Sequence, residues 1–104
     1  MEKIINIAKD FSPTPAGRYR DYGDFSGEAF REDILLPSLL DNNISSIIIN
    51  FNGLKGVGSS FWDEVFGEII RNNMSKSDFY NKVNFVCDDD ITLIPTIKKI
   101  IEEN

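Results

Sequence analysis

The apolar positions of the chain follow two different patterns, and each pattern predicts a different element. The run at residues 47–51 is short, apolar and rich in β-branched side chains, which is typical of a central strand covered on both faces. Further on, apolar residues recur in pairs four apart, which predicts one broad buried helix face. These residues are Phe61, Trp62, Val65, Phe66, Ile69 and Ile70. Residues 44–73 therefore predict a buried strand, a glycine-containing loop and an amphipathic helix.

The same patterns predict the remaining elements. They are strands at residues 3–8, 18–22 and 83–87, and helices at residues 26–42 and from 92 or 94 to 102. Pro37 falls within the first of these helices, so a kink or a restart is predicted there. The polar residues 72–81 are predicted to form a loop. The result is an α/β fold in the order β-β-α-β-α-β-α, a small mixed sheet with helices packed on it, as one domain over residues 1–104.

Composition narrows the classes of function. The 104 residues are 41% hydrophobic and 27% charged, which is ordinary for one soluble domain. The net charge of −6 repels duplex nucleic acid and anionic lipid on average, so neither is a predicted partner. The chain has no histidine, which excludes Ser-His-Asp and Cys-His catalysis within it. Cys87 is the single cysteine, so no intramolecular disulfide forms. We expect no enzyme activity and no cofactor.

The beginning of the chain carries no signal-peptide pattern, and no apolar run approaches the roughly 20 residues that span a bilayer. We therefore expect a cytoplasmic location.

Two adjacent serines stand where the glycine-containing loop meets the second helix. With Ser60 as N-cap, Asp63 occupies the third helical position, which is the spacing of a capping box. Ser59 is then the last loop residue, at the positive end of a helix and the carboxyl edge of a central strand. This position suits binding of a phosphate or a partner's anionic group. The predicted partner-binding residues are Asn52, Gly53, Gly58, Ser59, Ser60, Trp62, Asp63 and Phe66.

Several of these residues also suit a purely structural role. Phe61, Trp62 and Phe66 fit a packed core, although Trp62 at the edge of a partner groove is the alternative. Asp88, Asp89 and Asp90 are predicted to end a strand and begin a helix rather than to bind a cation, because a cation site needs ligands from several segments.

A second polar cluster precedes the first long helix. Its members are Arg18, Arg20, Asp24, Ser26 and Arg31, which together suit a pocket for a nucleotide or another phosphorylated ligand. Two structural alternatives stand beside this interpretation. Ser26 fits the N-cap of the following helix. Arg31 fits either an ion pair with Glu32 or a solvated helix face.

Two blocks of the chain, read together, resemble a known family. The first is RYRDYGDFSGEAFREDILLPSLL, residues 18–40, and the second is IIINFNGLKGVGSSFWDEVFGEII, residues 47–70. They are similar to the STAS-like bacterial domains, a family of unknown function. The shared pattern is an arginine-rich strand, a G-x-x-S-G-x-x-F-R-E helix start with L-x-P-x-L, and a strand whose following loop ends S-S-F-x-x-E-x-F-G.

The resemblance implies a function as well as a fold. The family is named for its similarity to the STAS fold of anti-sigma-factor antagonists, which are small cytoplasmic protein-binding modules. These antagonists bind a GHKL, serine-kinase-type ATPase through the loop and helix start, and phosphorylation of a serine there breaks the complex. By position that serine is Ser59. This chain has Gly58 where the antagonists usually have aspartate, and Phe61-Trp62 where they often have Gly-Leu.

Three hypotheses follow for the function. The first is a regulatory module that docks a protein partner, with a GHKL-type ATPase as candidate, through residues 52–66, with Ser59 as candidate phosphorylation site. The second is a binder of a nucleotide or phosphorylated ligand. The third is a component of a phage-defence or counter-defence assembly. The residues do not predict an oligomeric state.

Overall fold

The fold is built on three parallel strands. A computed structural model describes all 104 residues. The strands are β1 (Glu2–Asn6), β2 (Ser46–Asn50) and β3 (Val83–Val86), and β2 lies between the other two. In register, Ile4 lies beside Ile48, which in turn lies beside Asn84. The apolar run at residues 47–51 therefore supplies the central strand, as its composition predicts.

Five helices complete the chain. A single turn, α1, spans Ile7–Asp10. The long helix α2 comprises Gly27–Phe30, a π-helical turn at Arg31–Leu35, and Leu36–Leu40; α3 comprises Ser59–Trp62, a second π-helical turn at Asp63–Gly67, and Glu68–Asn72. The last two helices are α4 (Lys76–Lys82) and α5 (Leu93–Glu102). None of these helices combines the length and apolar character that crossing a membrane requires.

Pro37 lies inside α2, as the sequence indicates. A proline has no N–H to donate to the carbonyl four residues earlier, and its ring crowds that turn. The π-helical turn at Arg31–Leu35 comes directly before it, and the backbone remains helical at Leu36, with φ −61° and ψ −43°. The wider turn thus accommodates the proline without ending the helix.

The predicted order is wrong in three places, at residues 7–10, 18–22 and 72–81. The predicted strand at residues 3–8 ends at Asn6, and the single turn α1 follows it. Residues 18–22 form a loop with a 3₁₀ turn at Arg20–Tyr22, not a strand, so the sheet is parallel rather than mixed. Gly17, at the start of this loop, has φ of +85°, which glycine adopts at little steric cost and which turns the chain away from an extended path. The predicted loop at residues 72–81 contains α4. Ser75 caps this helix by accepting a hydrogen bond from the Asp78 N–H.

The core lies on one face of the sheet only. Ile5, Ile47 and Ile49 point into it and pack with apolar residues of α2, α3 and α5. On the other face Ile4 is 61% exposed, Asn84 is exposed and Ile48 is half-buried. The prediction of a central strand covered on both faces is therefore wrong for this sheet, although parallel sheets usually have both faces covered.

Candidate functional site

The start of α3 leaves two serine hydroxyls in solvent. Gly58 is the N-cap, with φ −77° and ψ 159°, and no side chain caps the helix. Ser59 and Ser60 are the first two helical residues, and both are exposed. The prediction that Ser60 is the cap with Asp63 as its capping partner is wrong, because the helix begins two residues earlier than that cap requires. The predicted display of the Ser59 hydroxyl at a positive helix end is nevertheless what the structure has.

The loop before α3 is held at both of its sides. Gly53 and Gly56 have φ of +88° and +64°, which glycine adopts at little steric cost. The Lys55 N–H donates to the Pro13 carbonyl at 2.9 Å, which ties the loop to the segment after α1. On the other side the Gly53 N–H donates to the Asp89 carboxylate at 2.8 Å. The loop is therefore exposed but anchored.

Asn52 joins this loop to the loop after β3. Its side-chain oxygen accepts from the N–H groups of Asp88 and Asp89 at 2.6 and 3.3 Å, and its amide nitrogen donates to the Asp88 carboxylate at 3.0 Å. Asp90 accepts from the Thr92 hydroxyl and N–H, and these bonds lower the pKa of Asp90. The three aspartates thus brace the loop and the start of α5, and they belong to no cluster of three or more potential metal ligands.

Two of the predicted partner-binding side chains lie in the core instead. Trp62 is 1% exposed and Phe66 is fully buried, and both pack against Phe51 with ring centroids 5.5 and 6.2 Å away. Neither can touch a partner without unfolding of the helix, so their prediction as contact residues is wrong. The docking surface is defined as the other predicted residues without an ion pair: Asn52, which is half-buried, and the exposed Gly53, Gly58, Ser59 and Ser60. Asp63, the last predicted contact, is half-buried and is bound by Arg18 and Arg71.

The second predicted cluster takes part in the contact between α2 and α3. A Cβ on Gly27 would lie 2.9 Å from the Phe61 carbonyl oxygen and from the Glu64 Cβ, so only glycine permits this approach of the two helices. Arg31 donates through Nη2 to the Glu64 carboxylate at 2.8 Å and through Nε to the Glu64 carbonyl at 3.0 Å. Ser26 is buried, and its hydroxyl accepts from the Ala29 N–H, which confirms its interpretation as an N-cap.

Comparison with known families identifies the family to which this chain belongs. The model of a family described as STAS-like domain of unknown function matches residues 26–90, more than half of the chain. The chain belongs to this family. No curated protein and no solved structure gives a significant match. The family match begins at the capping serine of α2 and ends at the aspartates after β3, so it includes both the α2–α3 contact and the docking surface of this STAS-like domain.

Five motif residues of the STAS-like domain contact one another across the two helices. Gly27 lies against Phe61 and Glu64, Arg31 binds Glu64, and the Phe30 and Phe61 rings are 6.3 Å apart. The motif of the first block therefore packs on the motif of the second. This packing leaves Ser59 and Ser60 of the second block exposed, together with Gly23, Glu32 and Pro37 of the first.

A chain of ion pairs runs along the first turns of α3. Arg18 Nη1 lies 2.6 Å from Asp63 and 3.7 Å from Glu64, and Arg71 Nη1 lies 3.1 Å from the other Asp63 oxygen. Burial raises the pKa of Asp63, but hydrogen bonds from the two arginines outweigh it and leave that pKa below its usual value. Gly67 makes room for this arrangement, because a Cβ there would lie 2.5 Å from Asp63 Oδ1.

The five residues predicted as a ligand pocket do not form one. Arg20 binds Glu32 and Asp33 on the surface at 3.2 and 2.7 Å, and its hydrogen bond lowers the pKa of Asp33. Arg18 and Arg31 serve the α2–α3 contact, and Ser26 is a buried cap. Asp24 is exposed. Neither cavity of the molecule is lined by any of the five. The prediction of a phosphate-binding pocket here is therefore wrong, since its cations are already neutralised.

Proposed function

We propose that this STAS-like domain is a regulatory module that binds a partner protein through the docking surface, and that phosphorylation of Ser59 releases the partner. The observation that carries the proposal is the exposed, uncapped start of α3, where Ser59 and Ser60 extend into solvent beside an anchored loop. An unsatisfied helix start attracts anionic groups of a partner or a phosphate.

The charges near this helix start support a switch at Ser59. A phosphate would add a charge of about −1.5 to −2. Free carboxylates on the next turn would oppose that charge. Here Asp63 is bound by Arg18 and Arg71, and Glu64 is bound by Arg31. Arg71 also binds Glu68, so three guanidinium groups compensate three carboxylates. These carboxylates of α3 are therefore paired, and their opposition to a phosphate at Ser59 is reduced.

The resemblance to anti-sigma-factor antagonists supports a GHKL-type ATPase as the first partner to test. Gly58 replaces the aspartate that usually precedes the serine in those proteins, so the surface of this chain is less acidic at that position. A partner that binds residues 58–60 therefore contacts the glycine backbone and two serine hydroxyls rather than a carboxylate.

The test is a binding titration of purified GHKL-type ATPases from the source organism against the full chain. Ser59→Asp should weaken binding at least tenfold, because it places a charge at the centre of the surface, and Ser59→Ala should retain binding. Ser77→Asp is the matched control, since Ser77 is an exposed serine on α4, outside the surface. A partner that binds all three variants equally, with each variant folded by circular dichroism, would contradict the proposal.

Membership of a phage-defence or counter-defence assembly stays a separate hypothesis. It requires the same kind of protein contact, and gene neighbourhood is the observation that distinguishes it from regulation by an ATPase.

A further inference from the structure

Two clefts flank the sheet, one beside each edge strand, and they differ in whether their polar groups are in use. The smaller cleft, about 210 Å³, lies beside β1. Its Lys3 ammonium donates to Ser38 at 2.8 Å, and its Asp33 carboxylate is bound by Arg20 at 2.7 Å. These groups already have partners within the chain, so this cleft offers little to a ligand.

The larger cleft lies between β3, α4 and α5 and measures about 360 Å³. This volume falls within the range of about 300–1,000 Å³ that small-molecule sites occupy. The cleft is lined by Tyr80, Val83, Asn84, Phe85, Ile94 and Lys98. Four of these side chains are largely apolar, so a ligand body would bury apolar surface against them.

Two polar side chains of the larger cleft are unused. The Tyr80 hydroxyl and the Lys98 ammonium form no hydrogen bond within the chain, and Lys98 has no ion pair. Lys99, the next residue, has an acidic neighbour, Glu103, at 3.9 Å. Burial and the nearby Glu102 carboxylate raise the pKa of Tyr80, so its phenol stays protonated at neutral pH. Both groups are therefore available to donate hydrogen bonds to a ligand.

We propose that the cleft between β3, α4 and α5 binds a small amphiphilic anion. The aromatic or aliphatic body of the ligand packs on Val83, Phe85 and Ile94, and its carboxylate accepts hydrogen bonds from Lys98 and Tyr80. An apolar cleft with a few convergent polar groups is the usual form of a small-molecule site. The single cation among the lining residues selects an anion, because a charge-assisted hydrogen bond is stronger than a neutral one.

The test uses 8-anilino-1-naphthalenesulfonate, a fluorescent amphiphilic anion, and the full chain. Fluorescence should rise to saturation with one site per chain. Lys98→Met keeps most of the apolar stem and removes the charge, so it should weaken binding by about tenfold. Lys99→Met is the matched control on the same helix and should change the affinity less than twofold. In competition, 3-phenylpropionate should displace the probe, whereas 3-phenylpropanol, which lacks the carboxylate, should not.

Three results would overturn the proposal. The first is the absence of saturable fluorescence. The second is an equal affinity for Lys98→Met and Lys99→Met. The third is loss of the signal in Ile4→Thr with Lys98→Met unaffected, which would place the probe on the open sheet face. Failure of 3-phenylpropionate to displace the probe, or equal displacement by the alcohol, would reject a carboxylate ligand. None of these measurements depends on the docking surface.

Discussion

The starts of α2 and α3 contrast two uses of serine in one small domain. Both starts follow a glycine-containing loop, and both lie in motif blocks of the family. Ser26 is buried, and its hydroxyl accepts a hydrogen bond from the Ala29 N–H. Ser59 and Ser60 are exposed, and the cap before them is a glycine without a side chain. The same residue type is thus a structural cap at one helix start and a free surface group at the other.

The difference follows from where each helix start lies. The first turn of α2 is pressed against α3, where Gly27 contacts Phe61 and Glu64, so every polar group there must find an internal partner. At the first turn of α3, Phe61 and Trp62 are buried, but Ser59 and Ser60 lie at the carboxyl edge of the sheet, where water can satisfy them. A motif residue therefore marks either a packing requirement or a working surface, and burial separates the two.

The largest expected effect concerns the ion pair between Arg31 and Glu64 at the α2–α3 contact. Arg31→Met leaves the Glu64 carboxylate buried without its closest cation, and breaking a buried pair on one side should cost about 3 kcal/mol of unfolding free energy. Urea denaturation followed by circular dichroism measures the loss. The matched control is Arg20→Met, whose ion pairs with Glu32 and Asp33 lie on the surface and add little stability. Equal midpoints for the two variants would remove the distinction between the buried and exposed pairs.

The next prediction compares alanine substitutions at two glycines, Gly27 and Gly58. Gly27→Ala introduces a Cβ 2.9 Å from two atoms of α3, so the helices must separate, and the expected loss is about 2 kcal/mol. Gly58→Ala is the control, because nothing lies within 4 Å of its Cβ position and its φ of −77° suits alanine. This control should lose less than about 1 kcal/mol, the usual difference between caps. Thermal unfolding of both variants measures the difference, and a larger loss at position 58 would contradict the close helix contact.

Local patterns predicted the elements whose signal lies within the element itself. The central strand and α3 follow from apolar periodicity, and α5 begins at Leu93, between the two predicted starts. The segment 18–22 was mispredicted because alternation of arginine and tyrosine resembles a strand. Instead Gly17, at φ +85°, turns the chain out of an extended path directly before the segment. Helix α4 was missed although Ser75 and Asp78 carry the spacing of a capping motif.

The candidate site was predicted less well, because its contacts are distant in sequence. Arg18 and Arg31 are separated from Asp63 and Glu64 by 45 and 33 residues. Hydrophobic periodicity carries no information on contacts between such distant positions. From the sequence alone, the arginines are therefore interpreted as part of a ligand pocket. The signal that could have found the pairing was the glycine at position 27, which marks a close backbone approach when it stands inside a helix start. The exposure of Ser59 follows from the order of strand, loop and helix around it, although the cap predicted at Ser60 is wrong.

The serines themselves provide the third test. Ser26→Ala removes the hydroxyl that accepts the Ala29 N–H, and loss of an N-cap should cost about 1 kcal/mol. Ser60→Ala removes an exposed hydroxyl that caps nothing, so it should remain within about 0.5 kcal/mol of the parent. Both values come from the same urea titrations. If Ser60→Ala were as destabilising as Ser26→Ala, the start of α3 would not be free, and the docking surface would lose its basis.

The smallest effect concerns acid and the ion pairs beside the docking surface. The folded-state pKa of Asp63 lies below its ordinary value, so its pairs with Arg18 and Arg71 contribute fully above about pH 4 and are lost as pH falls through the folded pKa. Because Asp63 is partly exposed, the contribution should be under about 1 kcal/mol. Asp63→Asn should therefore be less stable than the parent at pH 6, and the gap should close toward pH 2.

Asp33→Asn provides the control for this last prediction. Asp33 also has a lowered pKa, through its hydrogen bond with Arg20, but it lies fully in solvent. Salt screens such exposed pairs, so 0.5 M NaCl should erase any pH-dependent gap for Asp33→Asn and leave most of the gap for Asp63→Asn. If salt removes both gaps equally, Arg18 and Arg71 do not shield Asp63 from solvent. The charge compensation that permits an added phosphate at Ser59 would then be weaker than the geometry implies, and the switch would depend on ionic strength.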